Sequence, residues 1–234
     1  MLRRRDAGES DRRLTVLSRE HGKLDVVAKG ARKGGSRLAG SSEPLVAVVL
    51  QVAVGKVNRF VTQAQPSSSF PGLRADYDRL AMALAMAELF EAVIPWEEGD
   101  PGAYELLLRV LQALERHEKP AVALVWAQVA LLREAGFQPS FARCASNGSA
   151  LVSGKPWFSP QAGGLVSDGQ AHEYQDAFQT RAEALMGLDR IAELDAPPGN
   201  LKFVEECLRV LLATWRHVLE RPLPAATQAY EATL

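Results

Sequence analysis

Apolar residues in the first seventy positions come in short bursts separated by turn signals. Residues 13–18 (Arg-Leu-Thr-Val-Leu-Ser) and 23–28 (Lys-Leu-Asp-Val-Val-Ala) are rich in Leu, Val and Thr, with His21 and Gly22 between them. That pattern predicts two strands and a tight turn. Residues 45–54 are apolar throughout except for Gln51. A run of this kind is a buried strand or a buried helix, and its valines, with Pro44 and Gly55 on either side, favour the strand. Residues 59–64 follow after Lys56, Val57 and Asn58, a link long enough for a hairpin turn. With residues 2–5 this gives five strands and no helical period among them, the pattern of a small closed or nearly closed barrel.

After residue 70 the period changes to that of helices. Residues 73–94 carry Tyr77, Leu80, Leu84, Ala87 and Phe90 at helical spacing and stop before Pro95. Residues 103–116 repeat the pattern with Leu106, Leu107, Val110, Leu111 and Leu114, and residues 121–135 with Leu124, Val125, Val129 and Leu132. The stretch 137–171 holds eight Gly or Pro residues and reads as an irregular insertion. Two further helices are expected, near 172–194 and near 201–219; in the second, Leu201, Val204, Leu208, Leu211, Trp215 and Val218 fall on one face. The expected organisation is therefore α+β, with a barrel over 1–70 and a helical domain over 71–234 interrupted at 137–171.

Composition sharpens this in two ways. With 47% apolar residues over 234 positions the chain is globular rather than disordered. Its two cysteines exclude a disulfide scaffold and a zinc site made of thiols alone. The start, Met-Leu-Arg-Arg-Arg-Asp, has no apolar run behind it, so no signal peptide is expected. The apolar run at 45–54 is half the ~20 residues a membrane helix needs, so a cytoplasmic protein with no membrane contact is expected. The net charge of −1 hides an asymmetry: residues 1–60 hold 13 Lys/Arg against 6 Asp/Glu, and the rest hold 14 against 22. Either the basic part faces a polyanion, or the two parts neutralise each other.

The basic loop favours the polyanion. Residues 29–42 contain four glycines, three serines and the cations Lys29, Arg32, Lys33 and Arg37. Gly and Ser let a mobile backbone approach a ligand, and cations track phosphates while ring faces stack on bases. Arg12, Lys23 and Arg59 lie on or beside strands and extend the candidate track; Phe60 is a candidate stacking ring, although a strand Phe is more often core. Other chemistry is absent from the sequence. The segment 148–156 mimics a phosphate-binding loop but has five residues between its glycines, and Pro156 stands where a Ser or Thr belongs. No nucleophile elbow or metalloprotease motif occurs, and His21, His117, His172 and His217 show no joint spacing.

Several segments in order resemble the RecO family of DNA repair proteins. They are residues 3–12 (Arg-Arg-Arg-Asp-Ala-Gly-Glu-Ser-Asp-Arg), 20–24 (Glu-His-Gly-Lys-Leu), 28–33 (Ala-Lys-Gly-Ala-Arg-Lys) with Ser36 and Arg37, and 69–73 (Ser-Phe-Pro-Gly-Leu). Further on, residues 132–139, 157–164 and 221–223 continue the match over nearly the whole chain. The resemblance implies an oligonucleotide-binding (OB) barrel, then a helical domain with a zinc-finger-like insertion. It implies binding of single- and double-stranded DNA, annealing of complementary strands, and help in loading a recombinase onto strands covered by single-strand-binding protein. RecR and the acidic carboxy-terminal tail of single-strand-binding protein are the implied partners, and a cytoplasmic, nucleoid-associated location follows. No catalysis and no cofactor are implied. The family's DNA contacts carry over to Lys29, Arg32, Lys33 and Arg37.

This chain departs from the family at the insertion. Many members hold zinc there with two Cys-x-x-Cys pairs. Here the first pair falls on Cys144 and Asn147 and the second on Ser167 and Gln170. With three thiolates missing, no metal is expected; Cys144, Asp168 and His172 lack the spacing of a substitute, and packing around Trp157 and Phe158 is expected to hold the loop. The other function class is a protein-interaction adaptor that binds an acidic peptide, with Arg133 beside apolar residues as its anchor and DNA binding secondary.

Overall fold

The Arg-rich start forms β1 (Arg3–Ala7), followed by β2 (Asp11–Ser18) and β3 (Gly22–Ala28). All three pair antiparallel in sequence order. Leu14 and Val16, two apart on β2, share a face and pack with Val26, Ala28, Ala31 and Val61 in the core of the sheet. Gly22 begins β3 at φ +62°, and a Cβ there would lie 1.9 Å from the carbonyl oxygen of Glu98, so this turn takes glycine for both backbone and packing reasons.

After β3 comes the cationic loop with a short helix, α1 (Leu38–Ser41), then β4 (Ala47–Val54) and β5 (Arg59–Ser68). The apolar run at 45–54 is thus a strand; it pairs with β5 along its length, with irregularities at Ala47/Val48 and Gln51/Val52. The sheet order is β1-β2-β3-β5-β4, and β3 runs parallel to β5 at Val26 and Val27.

The sheet is not closed, which removes the closed form from the closed or nearly closed barrel expected from the sequence. No ladder joins β1 to β4. The edges meet at their first residues, where the Met1 ammonium donates to the Val46 carbonyl at 3.0 Å and the Leu45 N–H donates to the Met1 carbonyl at 2.9 Å. Leu45, at φ 62°, turns the chain where a ladder would continue, and the irregularities in β4 bend it further.

The structure, a computed structural model, describes residues 1–151 and 154–233, in two units, Met1–Glu115 and Arg116–Leu234. The first unit continues with α2 (Pro71–Arg74), α3 (Tyr77–Val93) and α4 (Pro101–Arg116). Asp76 caps α3 by accepting the N–H groups of Asp78 and Arg79. The second unit holds α5 (Pro120–Glu134), whose residues from Val122 to Leu132 are all buried, as a helix apolar all round must be. In the insertion, β6 (Trp157–Ser159) and β7 (Gly164–Val166) form a small sheet with β8 (Phe178–Gln179), in the order β7-β6-β8. Phe158 is fully buried there, with Phe141 stacked 6.3 Å away and Phe178 tilted at 5.8 Å.

A helix over 172–194 is not what forms. Residues 168–173 make a 3-10 turn, Phe178 joins the sheet opposite Phe158, and the helix, α6, covers Ala182–Ala192 alone. Strand pairing outweighs the local pattern here. α7 (Val204–Leu219) matches the expectation at 201–219, and α8 (Pro224–Glu231) follows it with Ala226 and Ala229 buried. Among the described residues, no helix is long and apolar enough to cross a membrane. Residues 152 and 153, part of the 148–156 segment, lie outside the described residues.

Candidate nucleic-acid interface

The basic loop is tethered rather than free. Asp11 accepts the Gly30 N–H at 2.8 Å, the Arg32 N–H donates to the Ser10 carbonyl at 2.9 Å, and Ala31 is fully buried beneath them. The Gly30 N–H, then Ser10 and the charges of Lys29 and Lys33, hold the Asp11 carboxyl below its ordinary value of 3.8. Leu38 of α1 packs on the sheet core, and Ser41 and Ser42 are buried. Both ends of the loop are therefore fixed, and its cations are carried on a defined backbone.

Lys29, Arg32, Lys33 and Arg37 are all exposed. The Lys29 ammonium sits 4.3 Å from the centroid of the Phe60 ring, so the candidate stacking ring already carries a lysine on one face. Arg32 bonds the Gly8 carbonyl at 3.1 Å and lies 3.4 Å from Asp6. Lys56 is a further exposed cation, in the β4–β5 turn that precedes Arg59. Its signal in the sequence was a cation at the tip of a hairpin.

The remaining strand cations point elsewhere. Arg12, only 13% exposed, donates to the Ala39 carbonyl, the Ser42 hydroxyl and Glu43. Lys23 is buried, donates to the Glu91 carbonyl and stands 4.6 Å from the Trp96 ring. Arg59 pairs with Glu97 at 2.7 Å; that hydrogen bond and charge raise the Arg59 pKa and lower that of Glu97. Arg133, in the other unit, donates to the Ala192 carbonyl at 2.6 Å and lies 3.8 Å from Asp195.

In the insertion, Asp168 accepts the Trp157 indole N–H at 2.8 Å. Among the described residues, no three His, Cys, Asp or Glu side chains converge as a metal site would require. The second cysteine, Cys207, is buried in α7, and burial pushes its thiol up to about 12.

The first unit thus presents a five-stranded sheet with an exposed cationic loop, and helices follow it in the chain. Two family models cover this chain, Recombination protein O N terminal over residues 1–70 and Recombination protein O C terminal over residues 74–226. Proteins named DNA repair protein RecO are similar throughout. The one from Roseiflexus sp. (strain RS-1) is 34% identical over 94% of this chain and 80% of its own length. That from Heliobacterium modesticaldum is 34% identical over 94% and 81%, and that from Gloeobacter violaceus 34% over 97% and 88%. The chain belongs to the RecO family, and its role lies in DNA repair and recombination.

Proposed function

We propose that this protein is a non-enzymatic recombination mediator that holds single- and double-stranded DNA by its phosphates and anneals complementary strands. The observation that carries this reading is the anchored loop, which presents Lys29, Arg32, Lys33 and Arg37 at the surface on a fixed backbone, with Phe60 beside Lys29. Annealing needs two phosphate backbones neutralised while their base edges stay free, and a row of cations without a base-reading pocket does that. The strand order, with β3 parallel to β5, supports reading the five-stranded sheet as an OB sheet left open at one side. Lys23 and Arg12, held inside the fold, are left out of the proposed track.

Recombinase loading, RecR and the tail of single-strand-binding protein belong to the same reading through the family resemblance. In the adaptor reading the anchor, Arg133, donates to the Ala192 carbonyl and lies 3.8 Å from Asp195, so an acidic peptide would compete with a carboxylate already present.

The test is fluorescence anisotropy of a labelled single-stranded oligonucleotide across a salt series. For single strands log K falls with log salt at a slope of about 0.7 per neutralised phosphate. The triple substitution Arg32→Ala/Lys33→Ala/Arg37→Ala is expected to weaken binding and make the slope shallower by about 1.4, from Lys33 and Arg37, because Arg32 is paired with Asp6. Unchanged affinity and slope would move the DNA site off the loop, and a 1000-fold preference for one sequence would contradict phosphate-led binding.

A further inference from the structure

Two four-residue turns in the second unit, Cys144–Asn147 and Ser167–Gln170, face each other. Each is closed by its own backbone, with the Gly148 N–H donating to the Cys144 carbonyl at 2.9 Å and the Gln170 N–H to the Ser167 carbonyl at 3.0 Å. The Ala145 N–H, bonded to the Leu165 carbonyl at 2.8 Å, draws one turn against the other. At the centre lies the side-chain carbonyl of Gln170. Its Oε1 accepts from the Ser146 and Ser167 hydroxyls, each at 2.7 Å, and from the Asn147 amide at 3.4 Å. Cys144 Sγ lies 3.9 Å from the same oxygen and 3.2 Å from Ser146 Oγ.

The residues present do not fit the zinc that the family resemblance implies. Zinc in a structural site takes thiolates and imidazoles. The four equivalent positions here offer one thiol, one hydroxyl and two neutral amides, and hydrogen-bonded oxygens fill the space between them.

We infer that Gln170 closes this pair of turns by hydrogen bonding in place of a metal, so that the insertion folds without one. The neighbouring aromatic packing of Phe141, Phe158 and Phe178 supports the same closure from one side. Cysteines at the other three positions would restore two Cys-x-x-Cys pairs on turns that backbone hydrogen bonds already close.

The test uses the full chain. Purified wild type is expected to carry no stoichiometric zinc by mass spectrometry of the metal, and its melting temperature is expected to be the same with and without EDTA. Stoichiometric zinc, or unfolding of the insertion on chelation, would overturn the inference. Gln170→Ala is expected to lower the melting temperature by about 5 °C, from two lost hydroxyl–amide bonds, and to speed amide exchange in segments 144–148 and 167–170. Unchanged exchange in those segments would remove Gln170 as the closing group. The variant Asn147→Cys/Ser167→Cys/Gln170→Cys is expected to bind cobalt with the absorption of a tetrahedral thiolate site and to become sensitive to EDTA. Wild type titrated with cobalt is the control, and the same absorption in wild type would again overturn the inference.

Discussion

Among the side chains around the basic loop, Asp11 and Arg12 are neighbours with opposite tasks. Asp11 fixes the first turn of the loop through the Gly30 N–H, and its lowered pKa gives the sign of a pH effect. A carboxylate held below its ordinary value contributes fully above that value and loses its contribution as pH falls through the lowered one. Protection of the Gly30 amide is therefore expected to be flat from neutral pH down to the ordinary carboxylate value of 3.8 and to be lost only as pH falls through the lowered value beneath it. Asp11→Ala, which removes the acceptor, is expected to show fast exchange at Gly30 at every pH, read by NMR, while the amides of Val26 and Val27 stay protected. Arg12 works inward. Replacing it with Ala strips donors from Ala39, Ser42 and Glu43 and is expected to cost about 1–3 kcal/mol of stability. Because its guanidinium faces the fold, the salt slope of DNA binding is expected not to change. A clear drop in slope with stability intact would make Arg12 a phosphate contact after all. The sequence could not separate Arg12 from Arg32, since both are cations next to turns; burial and bonding partners separate them.

At the scale of elements, the strands were the most legible part, because alternating apolar residues such as Leu14 and Val16 must share a face in any sheet. Their ends and the closure of the sheet were not legible. Closure depends on the backbone at Leu45 and on the irregularities of β4, and neither leaves a residue pattern. The expected helix at 172–194 failed for a similar reason, since Phe178 is drawn into pairing with a strand twenty residues earlier. The turns show how much a long-range contact adds to a local signal. Gly8 and Gly22 both sit at φ +62°, yet a Cβ at Gly8 meets nothing within 4 Å, whereas at Gly22 it would overlap the Glu98 carbonyl. Gly8→Ala is expected to cost about 1 kcal/mol, the price of a left-handed backbone with a Cβ. Gly22→Ala is expected to cost at least twice that, about 2 kcal/mol or more, because the backbone around Glu98 must also shift. Denaturant unfolding of the two variants checks the difference, and equal costs would mean that the approach of Glu98 relaxes freely.

Across the molecule, the charge asymmetry seen in the sequence has a different meaning once the fold is known. A basic first third and an acidic remainder suggested two oppositely charged modules, but the boundary falls inside the first unit. Residues 61–115, in that same unit, hold three Lys/Arg against nine Asp/Glu. Part of the basic charge is matched there, Arg3 with Glu91 at 3.3 Å, Arg19 with Glu105 at 3.5 Å and Arg59 with Glu97 at 2.7 Å. The neutralising reading thus holds for part of the basic charge, Arg32 of the loop included, 3.4 Å from Asp6. Lys33 and Arg37, also on the loop, form no ion pair with a carboxylate among the described residues, and they are the ones the proposed phosphate track relies on. An arginine already paired with a carboxylate exchanges one anion for another when a phosphate arrives, so it releases few counterions from the DNA. Exposed pairs of this kind also contribute only about 0–1 kcal/mol to stability. The double substitution Arg3→Ala/Arg59→Ala, which removes as much formal charge as two loop cations, is therefore expected to leave both the melting temperature and the salt slope nearly unchanged. The loop triple substitution, by contrast, takes about 1.4 from the slope through Lys33 and Arg37, with Arg32 already beside Asp6. Measuring both slopes on one oligonucleotide separates position from net charge. If each variant lowers the slope in proportion to the charge removed, the DNA responds to the overall field of the basic strands, and the anchored loop holds no special place in it.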